Sequence, residues 1–409
     1  MKILHVVAGD LTGGAARGAY WLHLGLIDLG IDSKIITNSK VNYNDQNIIS
    51  LSKNTKSGIL ISIMKRKLNN LLVSLYRNRK KIIFNTGFDG LDFTTTREYQ
   101  EADIIHLHWI NGFVEIKHLS KISKPIVWTM RDMWPMTGGC HYTMGCERYK
   151  FGCGKCLQLN SSLEYDLSKI ILNRKKKYFP KDIKFVGISN WLSDKAKESY
   201  LLKDFDIVTI HNSINTKEFF PIEKQVARTI LGISTNRKII LAGAKNVNDF
   251  YKGFGKILDA IQLLEKERYC FCFFGKLDTE IVDRLNIEYI NFGYLHDNIS
   301  LRLLYSAADV FVAPSIMDAF GKTLAESMAC GTPVVCFDAT GPKDIVDHQI
   351  NGYKASPFDS VDLAQGINWI LTHSNYASLS QNAREKVINC FDSKIVAKQY
   401  IGLYRSIVR

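Results

Sequence analysis

With 409 residues, the chain is too long for one ordinary hydrophobic core, and two domains are expected. Hydrophobic residues at 46% and charged residues at 23%, with only 8 prolines, exclude a disordered or low-complexity protein. The net charge of +13 calls for an acidic partner or surface, and nucleic acid, anionic lipid and phosphorylated substrates are the candidate classes.

The opening Met1-Lys2-Ile3-Leu4-His5-Val6-Val7-Ala8-Gly9 reads as a first buried strand. Its apolar stretch is short for a secretory signal and lacks a small-residue cleavage site. No run approaches the ~18–20 apolar residues of a membrane span. A cytoplasmic location, or the cytoplasmic face of a membrane, is therefore the expectation, with the nine cysteines mostly reduced.

Short apolar runs then alternate with amphipathic stretches, as in parallel α/β layers. Strands are expected at Ile3–Val7, Ser33–Ile36, Ile104–His108, Ile126–Thr129 and Phe185–Ile188, and again at Ile239–Gly243, Tyr269–Phe274, Tyr289–Phe292, Val310–Ala313 and Pro333–Phe337. Helices are expected at Ala16–Leu29 and Phe320–Ala329. The halves meet around Ile207–Pro221, where Asn212, Ser213 and Asn215 supply turn chemistry. Two similar α/β units facing one cleft is the economical architecture, with ligands at the carboxyl ends of the strands.

Several segments carry possible chemistry. Gly13-Gly14-Ala15, between the first strand and helix, lets backbone amides approach a phosphate. From Gln46 to Phe88 there are nine Lys/Arg and no acid; a second basic cluster is Arg174, Lys175, Lys176 and Lys177. Leu60, Met64, Leu68, Leu71 and Leu75 share one helical face, with Lys65, Arg66, Lys67, Arg77 and Arg79 elsewhere. Such a helix either lies on an anionic membrane or packs on a core with a solvated basic face. His106 and His108 alternate along a strand and are expected to face opposite sides. Cys140, Cys146, Cys153 and Cys156 are spaced C-x5-C-x6-C-x2-C. A structural tetrathiolate zinc site, two disulfides and four free thiols are the alternatives. Asp204-Phe-Asp206 sits in the expected linker and is read as chance.

The most informative segment is Ala313-Pro-Ser-Ile-Met-Asp-Ala-Phe-Gly-Lys-Thr-Leu-Ala-Glu-Ser-Met-Ala-Cys-Gly-Thr-Pro-Val-Val335. A strand ends at Pro314, Gly321 permits a tight turn, and a helix follows over Lys322–Ala329. The backbone N–H groups of Phe320, Gly321, Lys322 and Thr323 are expected to point out of its first turn, an arrangement suited to a diphosphate.

This segment resembles the Glu-x7-Glu signature of the GT-B glycosyltransferases, specifically the large retaining family 4. The likeness extends over most of the chain: Gly293-Tyr-Leu295 resembles the base-binding turn, Leu304-Tyr-Ser-Ala-Ala-Asp309 the entry to the signature, Gly341-Pro-Lys-Asp-Ile-Val346 a later Gly-rich turn, and His211–Pro221 the interdomain hinge. The resemblance implies two Rossmann-like domains: 1–215 for the acceptor, 216–388 for the donor, and a helix over 389–409 packing back on the first. It implies a retaining transfer from a nucleotide-diphosphate sugar, UDP- or GDP-linked, without a catalytic metal. Asp318 would position the donor sugar, Glu326 the ribose, Leu295 the base, and Lys252 of the Lys-Gly pair the diphosphate, with Gly13 and Gly14 completing the donor contacts.

Four positions depart from the family pattern. Asp318 and Asp344 stand where Glu is usual, Ala244 stands where an Arg is usual with Lys245 as a possible replacement, and Arg131 stands where His is usual. An Arg stays protonated and cannot exchange a proton, so Arg131 would hold a phosphate or an acceptor, or pair with an acid. A lipid-linked oligosaccharide at an anionic membrane surface, as in bacterial surface-polysaccharide assembly, suits a basic protein with no spanning helix. A sugar-nucleotide epimerase of the same fold is the enzymatic rival. A nucleic-acid-binding protein is the other, but no recognition-helix, zinc-finger or aromatic-repeat signature accompanies the charge.

Overall fold

A computed structural model describes residues 1–39, 45–51, 64, 67, 69–80, 82–277, 280, 282 and 287–408. It divides into two compact units, 1–211 with 396–409, and 212–395.

The first unit is built on seven parallel strands: β1 (Lys2–Val6), β2 (Asp32–Thr37), β3 (Ile48–Ser50), β4 (Ile104–Leu107), β5 (Ile126–Met130), β6 (Lys184–Gly187) and β7 (Asp206–Thr209). Their order, β3-β2-β1-β4-β5-β6-β7, reverses direction between β1 and β4. The second unit has six parallel strands: β8 (Lys238–Asn246), β9 (Tyr269–Lys276), β10 (Tyr289–Asn291), β11 (Val310–Ala313), β12 (Val334–Phe337) and β13 (Gly352–Ala355). Their order, β10-β9-β8-β11-β12-β13, reverses between β8 and β11. Buried parallel strands read as continuous apolar runs, and Tyr269–Phe274 shows this directly. Each reversal opens a crevice at the strands' carboxyl ends, so the loops after β1, β4, β8 and β11 are the places for ligands.

The ten strands expected from sequence all form, within two or three residues of their ends. β3, β7 and β13 were not anticipated. β3 is a three-residue, partly exposed strand, while β7 opens on Asp206 and β13 contains Lys354, so none presents a long apolar run. Asp204-Phe-Asp206 is therefore not linker: Asp206 begins the seventh strand and pairs with Lys184 on β6.

The last helix, Ser393–Ile407, contributes Val396, Ala397, Tyr400, Ile401 and Tyr404 to the first unit's core. This spacing of four and eight puts them on one helical face. They pack with Ile3, Leu22, Leu26, Ile104, Val127 and Val186. In the second unit the segment leading in and the segment leading out are tied together: Ile214 N–H donates to Phe391 O (2.8 Å) and Ser393 N–H to Ile214 O (3.0 Å).

Of the basic amphipathic segment, Leu60, Lys65, Arg66 and Leu68 lie outside the described residues. Within 69–74, helical in this structure, it is Val73, with Leu72 and Tyr76, that packs onto Leu159, Leu167 and Ile171. Three residues of the expected apolar stripe face solvent instead: Met64, Leu71 and Leu75 are 61%, 56% and 69% exposed.

Candidate active site

In the 212–395 unit the crevice between β8 and β11 is lined by Gly243, Ala244, Lys252, Pro314, Ser315 and Thr323, among others. Lys252 sits in a short turn after β8, and the turn is bolted to the loop after β11. Ile316 and Met317 N–H groups donate to Tyr251 O at 2.8 and 3.2 Å. Gly253 has a φ of +66°, and a Cβ there would lie 1.9 Å from Pro314 O, so only glycine allows this approach. The consequence is an ion pair between residues far apart in sequence: Lys252 Nζ to Asp318 Oδ2 at 2.7 Å.

Asp318 is fixed on its other side too. Its Oδ1 accepts from the Phe320 and Gly321 amides at 3.2 and 3.1 Å, and its backbone is held by Thr340 Oγ1 and by the Gly341 N–H (2.9 Å). Gly341 is required there, since a Cβ would lie 2.4 Å from Ala319 O. Burial alone would raise the Asp318 pKa; the Lys252 ammonium and the two amides outweigh it and hold the carboxyl below the usual aspartate value. The expectation of four amides at this helix start open to a diphosphate is corrected on this point: Asp318 already takes those of Phe320 and Gly321. Lys322 and Thr323 begin the helix proper, after Gly321 in the left-handed region.

Glu326 is about one turn further in and 1% exposed. Its carboxylate accepts from Lys322 Nζ (2.5 Å) and from Tyr305 Oη (3.3 Å). Leu295 is half-buried just beyond β10, at the edge of the same sheet, after Gly293 at φ +62°. Lys245 is exposed and Ala244 buried, and it is Lys252 that lines the crevice. Asp344 lies in the short helical turn Gly341–Asp344.

In the 1–211 unit, Gly13 caps the helix Gly14–Asp28 with no side-chain hydrogen bond, and a Cβ there would meet nothing within 4 Å. Arg131 follows β5 and is buried, with Nη2 3.1 Å from His108 Nδ1. Burial pushes its pKa down to about 10, which leaves it cationic at neutral pH. His106 and His108 share a face, correcting the expectation that they diverge: side chains alternate with period two, so residues two apart point the same way. Their rings are 4.1 Å apart, and His5, opposite His106 in the β1–β4 register, joins them.

The hydrogen bonds fix the tautomers of His108 and His5. An Arg only donates, so His108 Nδ1 accepts; its Nε2–H then donates to His5 Nδ1 (2.9 Å), placing the remaining proton of His5 on Nε2. His106 is held between Tyr404 Oη (2.6 Å) and Thr129 Oγ1 (2.7 Å). Burial pushes all three histidine pKa values well below the ordinary value. Sequence reasoning missed His5, and also an Asp132–His141 pair (2.6 Å) that continues to Asn85 Oδ1 (2.7 Å). The one local signal was Asp132 at the carboxyl end of β5.

Comparison with known proteins agrees with this geometry. Residues 223–386, which contain Lys252, Asp318 and Glu326, match the family model for glycosyl transferases group 1. WcaC of Escherichia coli, a glycosyl transferase named for colanic acid biosynthesis, is 21% identical over 430 aligned positions, covering 100% of both chains. The N,N'-diacetylbacillosaminyl-diphospho-undecaprenol alpha-1,3-N-acetylgalactosaminyltransferase of Campylobacter jejuni is 27% identical over 51% of this chain and 56% of its own. Among solved structures, Anabaena HepE in complex with UDP-glucose superposes with a TM-score of 0.67 at 16% identity, covering 99% of this chain and 100% of that one. The chain is a glycosyltransferase of GT-B fold, and residues 223–386 carry its match to the group 1 glycosyl transferases.

Proposed function

We propose that the protein transfers a sugar, with retention of anomeric configuration, from a UDP- or GDP-sugar to a lipid-linked oligosaccharide during surface-polysaccharide synthesis. The observation that carries this reading is the Lys252–Asp318 pair beside the helix start at Lys322. In the free protein the cation and the acid neutralise each other. On donor binding, Lys252 turns to the diphosphate, and Asp318 Oδ2 is released to accept from sugar hydroxyls while Oδ1 stays on its amides. Charge develops on the leaving diphosphate, so Lys252 and the first amides of the helix supply the main stabilisation, with neither a protein nucleophile nor a catalytic metal required. Glu326 takes the ribose after Lys322 swings aside, Leu295 borders the base, and Gly13, Gly14 and Arg131 serve the 1–211 side of the reaction.

The lipid-linked acceptor is supported by the diphospho-undecaprenol in the name of the Campylobacter relative and by the colanic acid role in that of WcaC. Among the described residues no helix is long and apolar enough to cross a membrane. Attachment is assigned instead to the exposed Met64, Leu71 and Leu75 in an acid-free basic segment, lying on the anionic inner face of the cytoplasmic membrane. The test is incubation with UDP- and GDP-sugars and undecaprenyl-diphosphate-linked acceptors, with the product's anomeric configuration read by NMR. A glycolipid keeping the donor's configuration is expected. An inverted product, or donor converted to another sugar nucleotide without acceptor, would overturn the reading.

A further inference from the structure

The loop 138–168 of the first unit brings Cys140, Cys146, Cys153 and Cys156 to the wall of one small pocket. All four are free thiols, and three of them are buried. The backbone goes to unusual lengths to place them. Gly152, Cys153, Gly154 and Lys155 are consecutive residues with φ of +95°, +58°, +87° and +42°. A Cβ on Gly154 would lie 2.2 Å from Glu164 O. The Cys156 N–H is held by Asp166 Oδ2 (2.8 Å), and Asp166 also caps the helix Leu167–Tyr178. Burial raises the Cys156 pKa, and the amides of Leu159 and Gln158, turned toward the sulfur, work against that rise.

Two buried polar groups stand next to this pocket, one without an ion-pair partner and one without a hydrogen bond among the described residues. Lys175, on the helix that Asp166 caps, is 0% exposed. Its Nζ donates to the main-chain oxygens of Trp134 and Thr137 and lies 3.6 Å from the Trp134 ring centre, and no ion pair to a carboxylate is formed among the described residues. Asp132 acts on it only at longer range, and that carboxylate is engaged by His141 and Trp109. A buried ammonium without a counter-charge is costly. Burial pushes the Lys175 pKa down to about 7, and the groups placed to oppose this are the sulfurs of Cys140 and Cys153, once ionised, ahead of Asp132. The second group is the Tyr149 hydroxyl, which lines the pocket, is buried and has no hydrogen-bond partner among the described residues.

We propose that Cys140, Cys146, Cys153 and Cys156 form a tetrathiolate site for a divalent cation of the zinc class, and that Lys175 is its buried counter-charge. As each sulfur bonds the ion its proton leaves to solvent, so four protons are released. The ion with four thiolates then carries two net negative charges, which Lys175 offsets by one. Tyr149 Oη–H gains a thiolate to donate to, in the way that outer groups support metal ligands. No three of the sulfurs lie within 4.8 Å of one another here, whereas tetrahedral zinc–sulfur geometry sets them roughly 3.8 Å apart. Binding therefore draws the thiols inward onto the ion and locks the loop. The histidines 5, 106 and 108 do bring nitrogens within 4.8 Å of one another. They are a poor metal site: both His106 nitrogens are engaged, and the Arg131 cation points at His108. The site is structural and independent of the transfer chemistry.

The test uses the full chain, expressed with zinc and purified without chelator. Elemental analysis should find about one zinc per chain, and exchange to cobalt should give the ligand-field and charge-transfer bands of tetrahedral thiolate-bound cobalt. Lys175→Met should weaken zinc about 10- to 100-fold in chelator competition, and Lys176→Met on the same helix should not. Wild-type protein that takes up no zinc on reconstitution, or carries disulfides among these cysteines after anaerobic purification, would overturn the site. So would a bound ion with nitrogen-type cobalt spectra that survives Cys153→Ser, which would place it at the histidines. Zinc bound equally tightly by Lys175→Met would remove the counter-charge role.

Discussion

At the strand-order reversal of the 212–395 unit, the ionic groups stand at the rim: Lys252 and Asp318 meet at the crevice, over a core of side chains such as Ile240, Val312 and Phe273. At the corresponding place in the 1–211 unit the ionisable groups go inside, where His5, His106, His108, Arg131 and Asp132 are all buried. At these two reversals the same parallel-sheet plan thus gives one unit a charged crevice over apolar strand residues and the other a buried polar network threaded by hydrogen bonds. A rim ion pair can exchange partners with a ligand at small cost, because neither charge is left stranded. The histidines buried behind Arg131 cannot, so that part of the first unit is suited to holding shape, including the last helix, which is gripped through Tyr400 and Tyr404.

Acid should break this contrast most strongly. The three clustered histidines have folded pKa values depressed by burial, so the unfolded chain takes up protons first as pH falls below about 6.5. Their stability contribution is complete above that pH and is lost as pH falls toward the folded values, at up to about 1.4 kcal/mol per pH unit for each histidine. The histidines of the other unit, His296, His348 and His373, are exposed or half-buried. Hydrogen exchange between pH 7 and 5 should therefore show 1–211 and 396–408 losing protection before 212–395. Equal loss in both units would count against the buried network. Lys252→Ala acts on the rim alone. Turnover should fall about 10²- to 10³-fold, or roughly 2.7–4 kcal/mol of barrier, with the melting temperature little changed. Turnover within a factor of about two would make Lys252 a bystander.

Gly253→Ala forces a Cβ against Pro314 O and should destabilise the second unit by roughly 2–3 kcal/mol, visible as a lower denaturation midpoint. An unchanged midpoint would mean that the turn carrying Lys252 relaxes freely. The smallest effect is expected at the surface. Arg77→Glu with Arg79→Glu should weaken binding to anionic vesicles by about 1 kcal/mol per charge removed, in low salt, and leave donor binding unaltered. Unaltered vesicle binding would detach the basic segment from the membrane reading.

How much of this was legible in the sequence differs between the units. Strands such as Val310–Ala313 announce themselves as apolar runs, and Asp318 and Glu326 sit in one continuous motif. The pairing of Lys252 with Asp318 was not legible, since it depends on a glycine turn docking onto a loop that is distant in sequence. In the first unit, polar residues in apolar strands gave no sign of their partners: His106 is satisfied by Tyr404, 298 positions away. Lys175 was grouped only with a basic cluster, yet Ser168, Ile171, Leu172 and Lys175 recur at helical spacing and all are buried. The exposure of Met64, Leu71 and Leu75 rests on Val73, Leu72 and Tyr76 packing instead, a choice between two plausible helix faces that only tertiary contacts decide.

The most direct test of the donor crevice is calorimetric titration of wild-type protein and Lys252→Ala with UDP, GDP and the two parent nucleosides. The wild type should bind one diphosphate more tightly than its nucleoside, and Lys252→Ala should lose most of that increment while binding the nucleoside unchanged. Failure of the wild type to bind either diphosphate, or an increment untouched by the substitution, would contradict a diphosphate held by Lys252 at the crevice between β8 and β11.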